Sequence, residues 1–329
     1  MLSFWTPLAV TGALALGNSF CVIAHAQSEY PSRPITIVSP VATGGTYSAY
    51  ARIIGGKLEE RLRQPIVVEN RPGAGTVIGT NWVARAAPDG YTLLMAGSPA
   101  LAISATVNKS LPYDAVADFA PISMIGKSPQ VLVVNASLPV ESVADIVRYA
   151  KKNPGKLNYA STGAGTVVHL QGELMKTQLG IEMIHVPYRG AALALNDIAA
   201  GHVSMMFISI LPAQPLIQAG KLRVIGISTK ERDEVWKDIP PLSDVGLPAF
   251  DTSIWYMLVA PAKTPRPVVD RLNKEVSMIV GDPDVRKQLL NQGVTPAGSS
   301  NPDALTKYIQ SEIEHWGAIA KKAGVVGAL

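Results

Sequence analysis

The chain has 329 residues, 47% of them hydrophobic and 16% charged, with a net charge of +4. That is enough apolar material for a sizeable core and more than one average domain of about 150 residues needs, so two domains are expected. The low charge content, with no Gly-X-Y period, heptad run or repeat unit, excludes disordered, collagenous, coiled-coil and solenoid classes.

No Lys, Arg, Asp or Glu precedes Glu29, and Leu8 to Ala24 is largely apolar, closing on Ala24-His25-Ala26. This reads as a secretory signal peptide over residues 1–26. The usual positive residues after Met1 are missing, which keeps an uncleaved anchor as the alternative. The only cysteine, Cys21, lies in this segment, so a mature chain has no disulfide, no Cys nucleophile and no thiolate metal site. Basic residues are scattered, with no run beyond pairs such as Lys151-Lys152 and Lys321-Lys322. No nucleic-acid partner is expected, while a mild positive field suits a small anion.

The spacing predicts a strand over Ile35 to Ser39, then a helix carrying Tyr50, Ile53, Ile54, Leu58 and Leu62 on one face. A strand over Ile66 to Glu69, a glycine-rich turn, a helical stretch to Ala87 and a strand over Thr92 to Met95 complete a βαβαβ half. A second core begins at the strand Val131 to Val134, followed by a helix lined by Val143, Ile146, Val147 and Ala150. Further strands fall at Leu157 to Ala160, Val203 to Phe207 and Leu222 to Ile227, with helices over Thr166 to Leu179 and Ala191 to Ala200. Pro212 and Gly220 bracket one more helix. A strand over Trp255 to Ala260 precedes three C-terminal helices, two opened by Asp282-Pro283 and Asn301-Pro302.

This order fits two α/β domains joined by two chain crossovers, near residues 126–130 and 248–254. Domain 1 is discontinuous, 27–128 plus 252–329, and domain 2 spans 129–251, with the C-terminal helices returning to domain 1. The cleft between them is the default ligand site.

The most informative segment is the first strand running into Thr43, Gly44, Gly45, Thr46 and Ser48 ahead of a helix. Glycines let backbone amides approach a ligand, and a helix N-terminus favours a carboxylate or phosphate. The hydroxyls of Thr46 and Ser48 either donate to an anion or cap the helix. The same grammar recurs at Ser161, Thr162, Gly163, Gly165 and Thr166. If each domain supplies one such loop, an anion is held from both sides. A third glycine-rich turn, Arg71 to Thr76, also opens a helix, but it has neither the dinucleotide spacing nor the P-loop Lys-Ser/Thr. Tyr188 and Arg189, in a loop after Pro187, either face the cleft or lie in solvent. Trp255 and Tyr256 line the pocket or, the favoured reading, pack in the core. No Gly-x-Ser-x-Gly elbow is present, and His169, His185, His202 and His315 have no evident acid-base partners and read as structural. No catalytic residue, metal site or cofactor is expected.

The chain resembles the receptors of tripartite tricarboxylate transporters, the Bug or TctC-like family. The resemblance rests on Tyr30-Pro31-Ser32-Arg33-Pro34-Ile35, the Gly44-Gly45 loop, Glu69-Asn70-Arg71-Pro72-Gly73-Ala74-Gly75 and Ala87-Pro88-Asp89-Gly90-Tyr91-Thr92-Leu93. Leu111-Pro112-Tyr113-Asp114, Asn158-Tyr159-Ala160-Ser161, His185-Val186-Pro187-Tyr188-Arg189-Gly190 and Ala219-Gly220-Lys221-Leu222-Arg223 extend it over nearly the whole mature chain. It implies a monomeric periplasmic receptor of the two-domain Venus-flytrap type, similar to type II binding proteins. Such a receptor captures a small carboxylate and presents it to a membrane permease without catalysis. By the same resemblance the ligand carboxylate falls to residues 43–48 and 161–166, with bridging waters, and Ser209 joins the expected contacts. Many members have an aromatic at Val41, Asp at Ser48, and Asp near Ser204 and Ile208. The missing acids favour a non-amino carboxylate, a dicarboxylate or an aromatic acid, over an amino acid. The competing readings are a secreted α/β hydrolase or isomerase and a ligand sensor for a membrane kinase.

Overall fold

The computed structural model describes Met1 and residues 30–328, apart from 234, 249, 299 and 300. The expected signal segment, with Cys21, lies outside the described residues.

The first βαβαβ unit forms where the apolar spacing predicts it. Strand β1 (Ile35–Ser39), helix α1 (Thr46–Leu62), β2 (Ile66–Asn70), α2 (Val77–Ala84) and β3 (Thr92–Gly97) follow in order. Strand β1 lies between β2 and β3 and is parallel to both, with Ser39 opposite Asn70 and Val38 opposite Leu94. All three therefore end at the same edge of the sheet. Beyond β3 a helical segment runs from Pro99 into the short α3 (Ser104–Val107). The next strand, β4 (Phe119–Ser128), is ten residues long and was not expected. Pro121 and Gly126 read as strand breakers. Pro121 instead sits at a register irregularity, and Gly126 lies so close to a neighbouring strand that a Cβ there would be 2.5 Å from the Thr295 carbonyl oxygen.

The chain then builds a second sheet. Its elements are β5 (Val131–Asn135), α4 (Val143–Lys152), β6 (Asn158–Ser161), α5 (Val167–Leu179), β7 (Ile184–Pro187), α6 (Ala191–Ala200), β8 (Met205–Ile208), α7 (Ile210–Gln218) and β9 (Leu222–Ile227). Strand β7 was also unexpected. It is a four-residue edge strand with no buried residue, so it carries no hydrophobic alternation to read. The sheet order is β7-β6-β8-β5-β9, with β6 parallel to β7 and β8.

The chain returns through β10 (Ile254–Pro261), α8 (Arg266–Gly281), α9 (Pro283–Asn291), β11 (Thr295–Pro296) and α10 (Pro302–Lys322). Strand β10 inserts antiparallel between β3 and β4, completing a first sheet of order β11-β4-β10-β3-β1-β2. Ile254 pairs with Ser128, so the two crossings lie side by side. Gln130 and Ser228 join them: the Ser228 N–H donates to the Gln130 carbonyl at 2.7 Å, and the Thr252 N–H to that of Ser228 at 2.9 Å.

Helix α8 packs on the first sheet through Val269, Leu272, Val276 and Ile279, in one cluster with Ile35, Ile37 and Leu58. Helix α10 behaves differently from the expected simple return. Its Ile309, Trp316 and Ile319 belong to a cluster containing Leu94 and Ala96 of the first sheet together with Val134 and Phe207 of the second, and it contacts α5 as well as β4. Trp255 is fully buried, and its Nε1 donates to Glu312 Oε2 at 2.8 Å, the atom that also accepts from Trp316 Nε1 at 3.2 Å. Tyr256 is buried against Tyr47 and Tyr50, with ring centroids 5.0 and 4.7 Å away. Both residues of this pair belong to the core. Among the described residues no helix is long and apolar enough to cross a membrane.

Candidate functional site

Parallel strands gather the loops that follow them at one edge. In the first sheet that edge carries residues 40–48 after β1, Arg71 to Thr76 after β2 and Ser98-Pro99 after β3. In the second it carries Ser161 to Thr166 after β6, Tyr188 and Arg189 after β7 and Ser209 after β8. The Tyr188 N–H donates to the Ser161 carbonyl at 2.9 Å, which ties those two loops together. Ser204 lies at the opposite end of β8, exchanging bonds with Asn158 at the start of β6. An acid missing at Ser204 therefore has no bearing on a ligand at the loop edge, which removes one of the departures read from the sequence.

The first loop leaves its helix uncapped. Gly45 is the N-cap of α1 and supplies no side chain, and Gly44 has φ +87°. The Ala49 N–H reaches the Gly45 carbonyl at 3.1 Å, while the amides of Thr46, Tyr47 and Ser48 have no partner among the described residues. The hydroxyls do not cap them either. Thr43 Oγ1 and the buried Ser48 Oγ donate to Asn70 Oδ1 at 3.2 and 3.4 Å, and Asn70 Nδ2 donates to the Val41 carbonyl at 2.9 Å. Asn70 thus holds the loop from the neighbouring strand. Gly79 of α2 allows a close approach from the other side, since a Cβ there would lie 2.9 Å from Pro40 Cα and 2.6 Å from the Arg71 carbonyl oxygen.

The second loop is closed on itself. Thr166 caps α5, accepting the His169 N–H at 3.4 Å, and donates to the Gly163 carbonyl at 2.8 Å. Gly163 and Gly165 have φ +133° and +73°, which glycine tolerates. The Gly165 amide is bound to His169 Nδ1 at 3.0 Å, and the Gly163 amide to Ser161 Oγ at 3.1 Å. Ser161 Oγ also shares a 2.6 Å bond with His185 Nε2. The amides of Val167 and Val168 are the open ones in the first turn.

Behind this loop the rings of His169 and His185 stack at 4.1 Å, and Tyr159 stacks on His185 at 5.0 Å. Burial pushes His185 down to about 4, helped by the neighbouring His169, and burial lowers His169 as well. Both rings are neutral at pH 7 and can accept from the loop. Both rings find hydrogen-bond partners in the loop, His169 at the Gly165 amide and His185 at Ser161, because β7 pairs with β6 and brings His185 beside Ser161. Their role is still structural: Ser161 is fully buried and committed to the turn.

Tyr188 directs its hydroxyl to Asp197 Oδ2 at 2.6 Å, lowering the Asp197 carboxyl; burial, then Asp197, pushes the phenol up to about 12. Arg189 is exposed, with no ion-pair partner among the described residues. Ser209 is the N-cap of α7 and exchanges bonds with the Gln130 amide at 3.2 and 3.4 Å, next to the crossing.

A cavity of about 260 Å³ opens between the two sheets. Its second-sheet wall includes Thr162, Gly165, Thr166 and Val168, so three expected site residues meet there. Its first-sheet wall is the third glycine-rich turn, through Ala74 and Gly75, with Pro99 and Ile254. Thr43, Gly44, Gly45, Thr46 and Ser48 are not among its lining residues. The turn holds four successive residues with positive φ, Gly73 at +136°, Ala74 at +44°, Gly75 at +61° and Thr76 at +90°. For a β-branched residue such as Thr76 that is a strained conformation. The turn carries neither the dinucleotide spacing nor the P-loop Lys-Ser/Thr. Its position, opening a helix after a parallel strand beside β1, was the usable signal.

Two α/β sheets joined by paired crossings, with helix-opening loops facing a cavity between them, define the architecture of a two-domain solute-binding protein. Residues 50–325 match the family described as "Tripartite tricarboxylate transporter family receptor", and the chain belongs to it. It is 38% identical to the "UPF0065 protein in tcbD-tcbE intergenic region" of Pseudomonas sp. (strain P51), over 92% of this chain and 90% of that one. Among solved structures it is similar to R. palustris Rpa4515 with adipate, at 34% identity and TM-score 0.79, covering 90% of this chain and 99% of that one. It is also similar to MatC from Rhodopseudomonas palustris with bound malate, at 32% identity and TM-score 0.74, covering 88% and 99%. The fold is the type II-like Venus-flytrap α/β fold of periplasmic binding proteins, and the family and these neighbours are solute-binding proteins, not enzymes.

Proposed function

We propose that this chain is a periplasmic receptor, exported by residues 1–26, that holds the carboxylate of a small organic acid between its two lobes and delivers it to a membrane permease of the tripartite tricarboxylate type. The lobes are residues 27–128 with 252–329, and residues 129–251. The observation that carries this reading is the uncapped start of α1, where the amides of Thr46, Tyr47 and Ser48 stand without partners. Three amides and the positive end of a 17-residue helix suit one carboxylate group. Val167 and Val168 offer the corresponding amides from the other lobe, and the unpaired Arg189 adds positive charge at the same edge. Two relatives hold adipate and malate, both small carboxylic acids. A ligand gripped from both lobes favours the closed arrangement, so affinity and closure are one process.

The test is calorimetric titration of the purified chain with small mono- and dicarboxylic acids, beside a variant that supplies its own anion to α1. Gly45→Asp places a carboxylate at the N-cap; Val41→Ala makes room for it, since a Cβ at Gly45 would lie 2.7 Å from Val41 Cγ2. One-to-one binding in the native chain, reduced at least about tenfold in the double variant, is the expected result. Equal affinity in both would remove the α1 loop from the site.

A further inference from the structure

The cavity between the sheets has a composition that narrows the class of acid, an inference that rests on the receptor reading above. None of its lining residues carries a charge. Ile103 and Val107 extend the wall formed by Pro99, Val168 and Ile254, and polar side chains enter only at Ser104, Thr162 and Thr166. Thr166 is already occupied with Gly163 and His169. Ile103, Val107 and Val168 are each at most 5% exposed, so this is a built apolar wall and not a loose surface. The amide-rich loop of the second lobe forms one side of the same space, placing donors for one carboxylate at its rim. A second carboxylate carried into the cavity would lose its water against apolar side chains with no cation to pair it. A hydrocarbon chain or ring loses nothing there and removes apolar surface from water.

The geometry points to a ligand with one carboxylate and an apolar body, a medium-chain or aromatic monocarboxylic acid, whose body fills the cavity lined by Ile103, Val107, Val168 and Ile254. This specificity differs from that of a receptor for short diacids. It places the selecting side chains on the segment after β3 and on the first turn of α5, where the side chain of Val168 faces the body of the acid while the backbone of the same turn serves the carboxylate.

Matched pairs of acids test it, each pair sharing a body and differing by a distal carboxylate: hexanoate against adipate, and benzoate against terephthalate. Titrated into the full chain after removal of any copurified acid, each monoacid is expected to bind at least tenfold more tightly than its diacid. Ala164→Leu fills the cavity from an exposed lining position; hexanoate and benzoate should each weaken at least tenfold while the melting temperature holds. Ile254→Arg supplies the missing cation at a half-buried position and should reverse the preference toward adipate. Adipate binding the native chain as tightly as hexanoate, or unchanged monoacid affinity in Ala164→Leu, overturns the apolar assignment and leaves the receptor reading standing. A folded chain that binds none of the four acids overturns both.

Discussion

The two glycine loops share a sequence grammar and differ in where their hydrogen bonds go. The second uses up most of its own donors: Thr166 caps its helix, His169 takes the Gly165 amide and His185 holds Ser161, which leaves the amides of Val167 and Val168 open. The first keeps the amides of Thr46, Tyr47 and Ser48 open; Asn70 holds it from the neighbouring strand, and its Gly45 N–H turns back to the Ala42 carbonyl at 3.1 Å. A strand, a glycine pair and a helix therefore do not by themselves specify an anion site. What decides is whether the neighbouring side chains use up the donors or leave them to a ligand.

The strongest way to break this contrast is to disturb the ring stack beneath the second loop. An added Cβ at Gly172 of α5 would fall 2.1 Å from the Tyr159 ring. Gly172→Ala is expected to cost about 3 kcal/mol in denaturant unfolding, as overpacking does, and to weaken acid binding with it. Next comes the outside support of the first loop. Asn70→Ala removes the bond to Val41 and leaves the buried Ser48 hydroxyl without its partner, for about 2 kcal/mol of stability. Its affinity loss in calorimetric titration should exceed what the stability change alone would bring. A smaller effect separates the helices directly: Thr166→Ala should cost about 1 kcal/mol by removing the cap of α5, where α1 has no cap to lose.

A different handle on the second loop is its pH dependence. His185 titrates near 4 in the folded chain and near its ordinary 6.5 when unfolded, so the unfolded chain binds the extra proton first. The stability associated with neutral His185 is complete above pH 6.5 and is lost as pH falls toward 4. His185→Asn should flatten that part of the thermal-melt profile, and an unchanged slope would show that other groups govern it.

Much of the fold was legible because its strands carry continuous apolar runs and its helices carry one-sided spacing. Strand β1 begins and ends where the pattern places it. Strand β4 was hidden by Pro121 and Gly126, residues whose tolerance depends on a bulge and on a neighbour some 170 residues away in the chain. The glycine loops were readable because turn chemistry is local. The bonds that distinguish them were not, since Ser161 meets His185 only through pairing with an edge strand that has no pattern of its own. The first-sheet wall of the cavity is hidden for a related reason: Pro99, Ile103 and Val107 carry no local motif, and only the second lobe set against them makes them a wall.

Strand β10 has a consequence for how the molecule is made. It lies between β3 and β4, yet it is formed from residues 254–261, after the whole second sheet. A polypeptide emerging from its N-terminus first therefore has a gap in the middle of its first sheet, with two unpaired strand edges facing it, until residue 261 has been synthesised. Nothing shorter can close that sheet, so the lobe that appears first in the sequence is completed last.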